Sequence, residues 1–101
     1  MEELNRNEKI TIGTTPIVIS KDKENSKSMR VNIIVINTST GGQTITLAVN
    51  EEAKDGEGIT LGVGGVWSDS SETGYKATQK LITGISDLAD GTIAIQERGL
   101  Q

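Results

Sequence analysis

The sequence predicts an all-β fold, a small antiparallel β-sandwich or jelly-roll-like barrel of seven to eight short strands. Three observations carry this. Aliphatic and β-branched residues alternate with polar ones in short runs, the period of a strand. Turn signals built on Gly, Asp and Asn recur at intervals of about ten residues. The apolar content is Ile, Val, Leu and Ala, with no Phe and with Trp67 and Tyr75 as the only aromatics.

The elements follow in chain order. Residues 1–8, with little apolar content, read as a flexible arm. From Lys9, "KITIG" sets Ile10 and Ile12 on one face. "PIVIS", Pro16 to Ser20, is a short strand whose leading Pro suits a first position or an edge. "KDKENSKS", Lys21 to Ser28, is a charged loop. "MRVNIIVINT" is the strongest strand. Val31, Ile33 and Val35 point one way, with Ile34 and Ile36 the other, which predicts a strand buried on both faces. "NTSTGGQ" then turns the chain as a hairpin, because Gly41-Gly42 permits positive φ at consecutive positions. In "QTITLAV", Ile45, Leu47 and Val49 point inward, and Thr44 and Thr46 outward.

"NEEAKDGEG" is a polar loop, and "GITLGV" repeats the alternation through Ile59, Leu61 and Val63. "GVGG", Gly62 to Gly65, is a bend, since no GK[ST] follows as a phosphate loop requires. "VWSDS" is a further strand. "ATQKLITGISDLAD" is open to two readings. Leu81, Ile85, Leu88 and Ala89 have helical spacing with Thr78 as a cap. Gly84 and the β-branched residues favour a turn at Thr78–Lys80 and then a strand over Leu81–Ser86. "GTIAIQE" is the last strand, with Ile93 and Ile95 inward. The expected organisation is an arm at 1–8, one sandwich at 9–98 and a tail at 99–101.

Composition narrows the function. The 101 residues are 34% hydrophobic, so the core is thin for a small domain. Small domains supplement such cores with disulfides, metals or self-association. There is no Cys and no His, which removes disulfides, thiolate sites and the commonest transition-metal ligand. Self-association, or docking on a larger assembly, remains. The net charge of −4 argues against nucleic acid, which calls for a basic excess. No apolar run approaches the about 20 residues that span a bilayer, and "MEELNRNEK" is too polar for a signal peptide.

No residue pattern points to catalysis. Glu51, Glu52, Asp55 and Glu57 share a loop but lack the ligand spacing of a calcium hand. Asp69, Ser70, Ser71 and Glu72 place a Ser beside an Asp, yet without His no Ser-His-Asp relay exists. The chain is therefore expected to be non-enzymatic, with no cofactor and no metal. Trp67 is either the largest core side chain or a contact residue, and Tyr75, between Gly74 and Lys76, is expected at a surface.

One further pattern is visible. Asn37-Thr38-Ser39 closes a strand, and Gly58-Ile59-Leu61-Gly64-Gly65 punctuates the middle of the chain. Ile85-Ser86 closes a later strand and Glu97 the last. This layout resembles small phage virion proteins of β-sandwich type, over residues 30–97. The stretch "ETGYKATQK" is longer than that layout needs. The resemblance implies a viral structural protein in the virion, made in the host cytoplasm. It would decorate a capsid or form a minor part of it, as a homo-oligomer such as a trimer or docked on the major capsid protein. The alternative is a tail or receptor-binding module that takes a glycan. Contacts are expected from Trp67, Tyr75, Glu2, Glu3, Leu4 and Lys9.

Overall fold

A computed structural model describes residues 3–23, 28–72 and 75–100. Eight strands form: β1 (Glu3–Ile12), β2 (Ile17–Ser20), β3 (Met29–Asn37), β4 (Ile45–Val49), β5 (Ile59–Leu61), β6 (Val66–Ser70), β7 (Ile82–Ser86) and β8 (Gly91–Leu100). They pair antiparallel in two four-stranded sheets, ordered β1-β8-β3-β6 and β2-β7-β4-β5. Within these, β1 pairs with β8, β2 with β7, β3 with β6 and β4 with β5. That nested pairing is a long strand–turn–strand unit rolled over on itself, the eight-strand jelly-roll arrangement. The two sheets stay open, so the sandwich is the correct description and the closed barrel is not. The region 77–90 resolves in favour of a strand: β7 occupies Ile82–Ser86, and no helix forms there.

The core lies between the sheets and is aliphatic. Ile12, Ile33, Val35, Ile93 and Ile95 from the first sheet meet Ile19, Ile45, Leu47, Leu61 and Ile82 from the second. Ile10, Ile17, Val49, Ile59 and Trp67 pack at its margin. Each large aliphatic side chain contributes about 1.5–3 kcal/mol on full burial.

Several expectations are corrected. Residues 3–8 are not an arm. They are the first part of β1, bonded along their length to β8. Their polar inner positions are satisfied by ion pairs instead of by core packing, so low hydrophobicity did not preclude a strand. Glu2 lies outside the described residues. Likewise Gly99 and Leu100, expected as a tail, end β8 opposite Met29 and Arg30. The β3 strand is buried on its inner face and only half-buried at Ile34 and Ile36 on its outer one. Thr46 is fully buried although it points away from the core, because the loop after β4 folds over it and Gly56 N donates to its hydroxyl. Val63, expected inward, is exposed beyond the end of β5.

The largest correction concerns residues 37–49, which do not form a hairpin. β3 already has β8 on one side and β6 on the other, so no edge remains for β4. The chain instead crosses to the opposite sheet. Only Gly42 of the glycine pair takes positive φ, at 79°. Asn37 organises the crossing. Its amide donates to Gln43 O at 2.9 Å and Leu61 O at 2.8 Å, and its Oδ1 accepts from Ser39 N at 3.0 Å. The backbone of Asn37 also bonds Gly65 O and Gly64 N, which ties in the β5–β6 crossing over Gly62–Gly65.

Two predictions follow from these crossings. Asn37→Ala leaves two buried carbonyls without donors and should lower stability by about 2–4 kcal/mol in urea unfolding. Gly58→Ala should cost clearly more than Gly42→Ala, which is expected to lose about 1 kcal/mol. Both glycines have positive φ, but at Gly42 an added Cβ meets open space, whereas at Gly58 it falls 2.7 Å from Leu47 O.

Candidate functional site

The most developed polar structure sits where the aliphatic core ends. There Arg30, 1% exposed, and Glu97, 6% exposed, lie on the inner face of the first sheet. Period-2 reading from Ile34 and Ile36 puts Arg30 on the outer face. A bulge between Arg30 and Asn32 inserts one residue, Val31, and turns Arg30 inward. The Gly99 partner opposite leaves room for the strand to bend.

All five guanidinium donors of Arg30 are used. Nε donates to Glu97 Oε2 at 2.8 Å. Nη1 donates to Thr78 O at 2.5 Å and Lys80 O at 3.1 Å, and Nη2 to Ser20 Oγ at 2.5 Å and Lys21 O at 3.0 Å. Ser20 in turn donates its hydroxyl to Glu97 Oε2. Gln79 brackets the Arg30 backbone, accepting from Arg30 N and donating to Arg30 O, each at 2.7 Å. The clasp thus joins β3 and β8 of one sheet to β2 of the other and to the β6–β7 loop. The long "ETGYKATQK" stretch gains a reason: it delivers the Thr78 and Lys80 carbonyls and the Gln79 amide to Arg30. Arg6 on β1 adds a second link between sheets, donating to Ile19 O at 3.0 Å and to Glu8 at 3.1 Å.

Burial alone would raise the Glu97 carboxyl. Hydrogen bonds from Ser20 and Arg30, with the charges of Arg30 and Lys23, outweigh that and hold it below its ordinary value of 4.5. Beside Glu97 a cleft opens at the end of the sandwich, lined among others by Leu4, Arg6, Lys23, Arg30 and Gly99.

The residues singled out by sequence lie apart from one another. Trp67 pairs with Val35 on edge strand β6, half-buried at the margin of the core. Tyr75 is 55% exposed, and its hydroxyl donates to Asp69 Oδ1 at 2.6 Å, a bond that raises its pKa. The other Asp69 oxygen accepts from Thr78 N at 2.8 Å, so Asp69 pins the loop that reaches Arg30. Leu4 sits in the cleft, and Lys9 lies exposed on the outer face beside Ala94. Glu3 begins β1. Among those whose side chains are described, Leu4 alone lies at the polar site.

The outer face of the first sheet is the second notable surface. Lys9, Ala94, Ile36 and Val66 form one cross-strand row, and Asn7, Gln96, Ile34 and Ser68 the next. Val66 is 56% exposed. Asn7, Ile34, Ile36, Ala94 and Gln96 line a shallow groove on this face.

No family model matches the chain, and no curated protein does. Solved structures do share the fold. One comes from Bacillus endospore appendages, described as a novel family of disulfide-linked pili. It has a TM-score of 0.60 and 16% identity, over 99% of this chain and 87% of that one. Another is the acid-stable capsid of Helicobacter pylori bacteriophage KHP30. Its TM-score is 0.54 at 7% identity, over 98% of this chain and 87% of that one. Both belong to structural assemblies, and at these identities the likeness is one of fold.

Two measurements probe the clasp. Because the folded pKa of Glu97 is depressed, its contribution is present above the ordinary value near 4.5 and lost as pH falls through the lower folded value. Chemical unfolding of the wild type should weaken over that window, and Glu97→Gln should flatten the dependence. Separately, Arg30→Met and Glu97→Leu should each cost about 3–5 kcal/mol, and the double variant much less than their sum, because each single change strands a buried charge.

Proposed function

We propose that this protein is a non-enzymatic structural subunit of a virion, a capsid-decorating or minor capsid component. It packs with copies of itself or on a lattice of the major capsid protein. The observation that carries the reading is the aliphatic outer face of the first sheet. Sheet strands exposed to water alternate core-facing apolar with outward polar residues. Here β3 instead places Ile34 and Ile36 outward, beside Ala94 on β8 and Val66 on β6. The rim is polar, with Lys9, Asn7, Gln96 and Ser68, which matches an interface with an apolar centre.

The likeness to a phage capsid protein and to a pilus protein supports an assembly role at the level of fold. The lack of Cys means that these residues would assemble without the disulfide linkage described for the pili. Rigidity also fits: the polar clasp and aliphatic core leave a face that loses little freedom on docking.

Sedimentation of the purified protein should show an oligomer, or co-sedimentation with capsid particles. Ile36→Lys should abolish that association while leaving the thermal unfolding of the subunit nearly unchanged, since the position is only half-buried. A monodisperse monomer that binds no capsid would exclude the assignment.

A further inference from the structure

We infer that the free edge of β1 pairs with the same edge of a second copy of this chain, antiparallel about a two-fold axis at Asn7. The first sheets of two subunits, four strands each, then join into one. The inference concerns the rim of that sheet and is separate from the docking of its outer face. Four strands end the sheets: β1 and β6 in the first, β2 and β5 in the second. An exposed edge invites pairing, and proteins blunt it with short strands, Pro, bulges or charge. β5 has three residues and β6 five. β2 has four, follows Pro16 and carries a register shift between Val18 and Ser20. β1 has ten residues, no Pro and an unbroken register against β8.

The hydrogen bonds of β8 show which β1 groups face outward. Thr92 turns both backbone groups toward the end of β3: its carbonyl accepts from Thr38 N at 3.0 Å, and its N–H donates to Ser39 Oγ at 3.0 Å. It therefore gives neither group to Thr11, its partner on β1. Such pairs alternate with hydrogen-bonded ones along an antiparallel ladder. The N–H and C=O of Thr11, Lys9, Asn7 and Asn5 thus point away from β8, and all four residues are exposed. Among the described residues, no other backbone group bonds to them.

Because only alternate residues face outward, two β1 edges meet in a limited set of registers, and the side chains select one. Centring on Asn7 sets Arg6 opposite the second copy's Glu8, and Glu8 opposite its Arg6. Arg6 and Glu8 are already paired along their own strand at 3.1 Å, so the charges of the two copies alternate in sign around a square. Lys9 falls opposite Asn5, whose side-chain oxygen accepts from an ammonium, and Leu4 falls opposite Ile10. The neighbouring registers set Arg6 against Arg6 or Glu8 against Glu8, and a centre at Lys9 sets Lys9 against itself. Like charges directly opposite are destabilising. The Asn7 register forms about six backbone hydrogen bonds over Asn5–Lys9. Both outer faces then lie on one side of the joined sheet.

The chain has no Cys, so single introduced thiols report the register. Asn7→Cys sets two thiols in one cross-strand pair, with Cα atoms about 5.5 Å apart, inside the span of a disulfide. Under mild oxidation it should become a disulfide-linked dimer. Asn5→Cys or Lys9→Cys alone should stay monomeric over the same time, since each thiol lies about 14 Å along the strand from its counterpart. A mixture of those two variants should cross-link readily. Sedimentation equilibrium tests the same contact without thiols. A strand edge buries little area, so the dimer is expected only at high protein concentration. It should persist in Ile36→Lys, which disables the outer face, and disappear when Asn7→Pro is added. The Asn7 N–H makes no bond to β8, so Pro is tolerated there; if that variant does not fold, the cross-linking order decides. The inference is overturned if Asn7→Cys cross-links no faster than Lys9→Cys, if Ile36→Lys is monomeric at every concentration, or if the folded double variant still dimerises. A monomer that nonetheless binds capsid particles overturns the edge pairing and leaves the assembly reading standing.

Discussion

One interaction closes the end of this sandwich: the guanidinium of Arg30 with its carboxylate, hydroxyl and three carbonyl partners. An aliphatic core can fill the space between two sheets only while both sheets run alongside each other. Three strands of the first sheet, β1, β3 and β8, are longer than those facing them and continue past the end of β2 and β7. Their inner positions there meet loops, whose carbonyls need donors. A planar cation with five fixed donors meets that need at a single point. The loop after β6, through Thr78 and Lys80, and Lys21 just after β2 are both bonded to it. A hydrophobic replacement would leave those carbonyls without partners, which separates this clasp from a buried ion pair that serves only itself.

Much of the strand content was legible because it rests on local alternation. β2, β4 and the inner positions of β8 fall where period 2 places them, and the choice between helix and strand for β7 followed from Gly84 and its β-branched neighbours. What was not legible depends on partners distant in sequence. Whether β4 turns back beside β3 or crosses to the other sheet is decided by β6 and β8, which occupy both edges of β3. The inward turn of Arg30 depends on one inserted residue, Val31, which leaves no mark in a pattern of alternating aliphatics. Thr46 is buried by a loop folded over the outside of its sheet. The signal that could have exposed the clasp was charge out of phase: Glu97 follows Ile93 and Ile95 at period 2 and therefore points inward. An inward carboxylate calls for a cation, and Arg30 heads the strand that flanks it.

The two surfaces have different physical characters. The outer face is broad, shallow and apolar at its centre, suited to another flat surface. The cleft is small, polar and walled by groups held on three strands. Nothing about one surface blocks the other, because they lie on opposite faces of the first sheet. The fold itself sets neither surface's use, as jelly rolls serve capsids and lectins alike.

The nested pairing also constrains how the chain is made. β8 lies between β1 and β3, so neither the first strand nor the third has its central neighbour until the last is synthesised. β1 can pair with nothing else in its sheet. Until β8 emerges, the first sheet is missing its middle, and the Arg30 side chain lacks the carboxylate of Glu97. Closure then joins segments about 90 residues apart, the kind of distant contact that slows folding. Truncation of the final strand would remove both the spine of a sheet and the anion of the clasp in a single step.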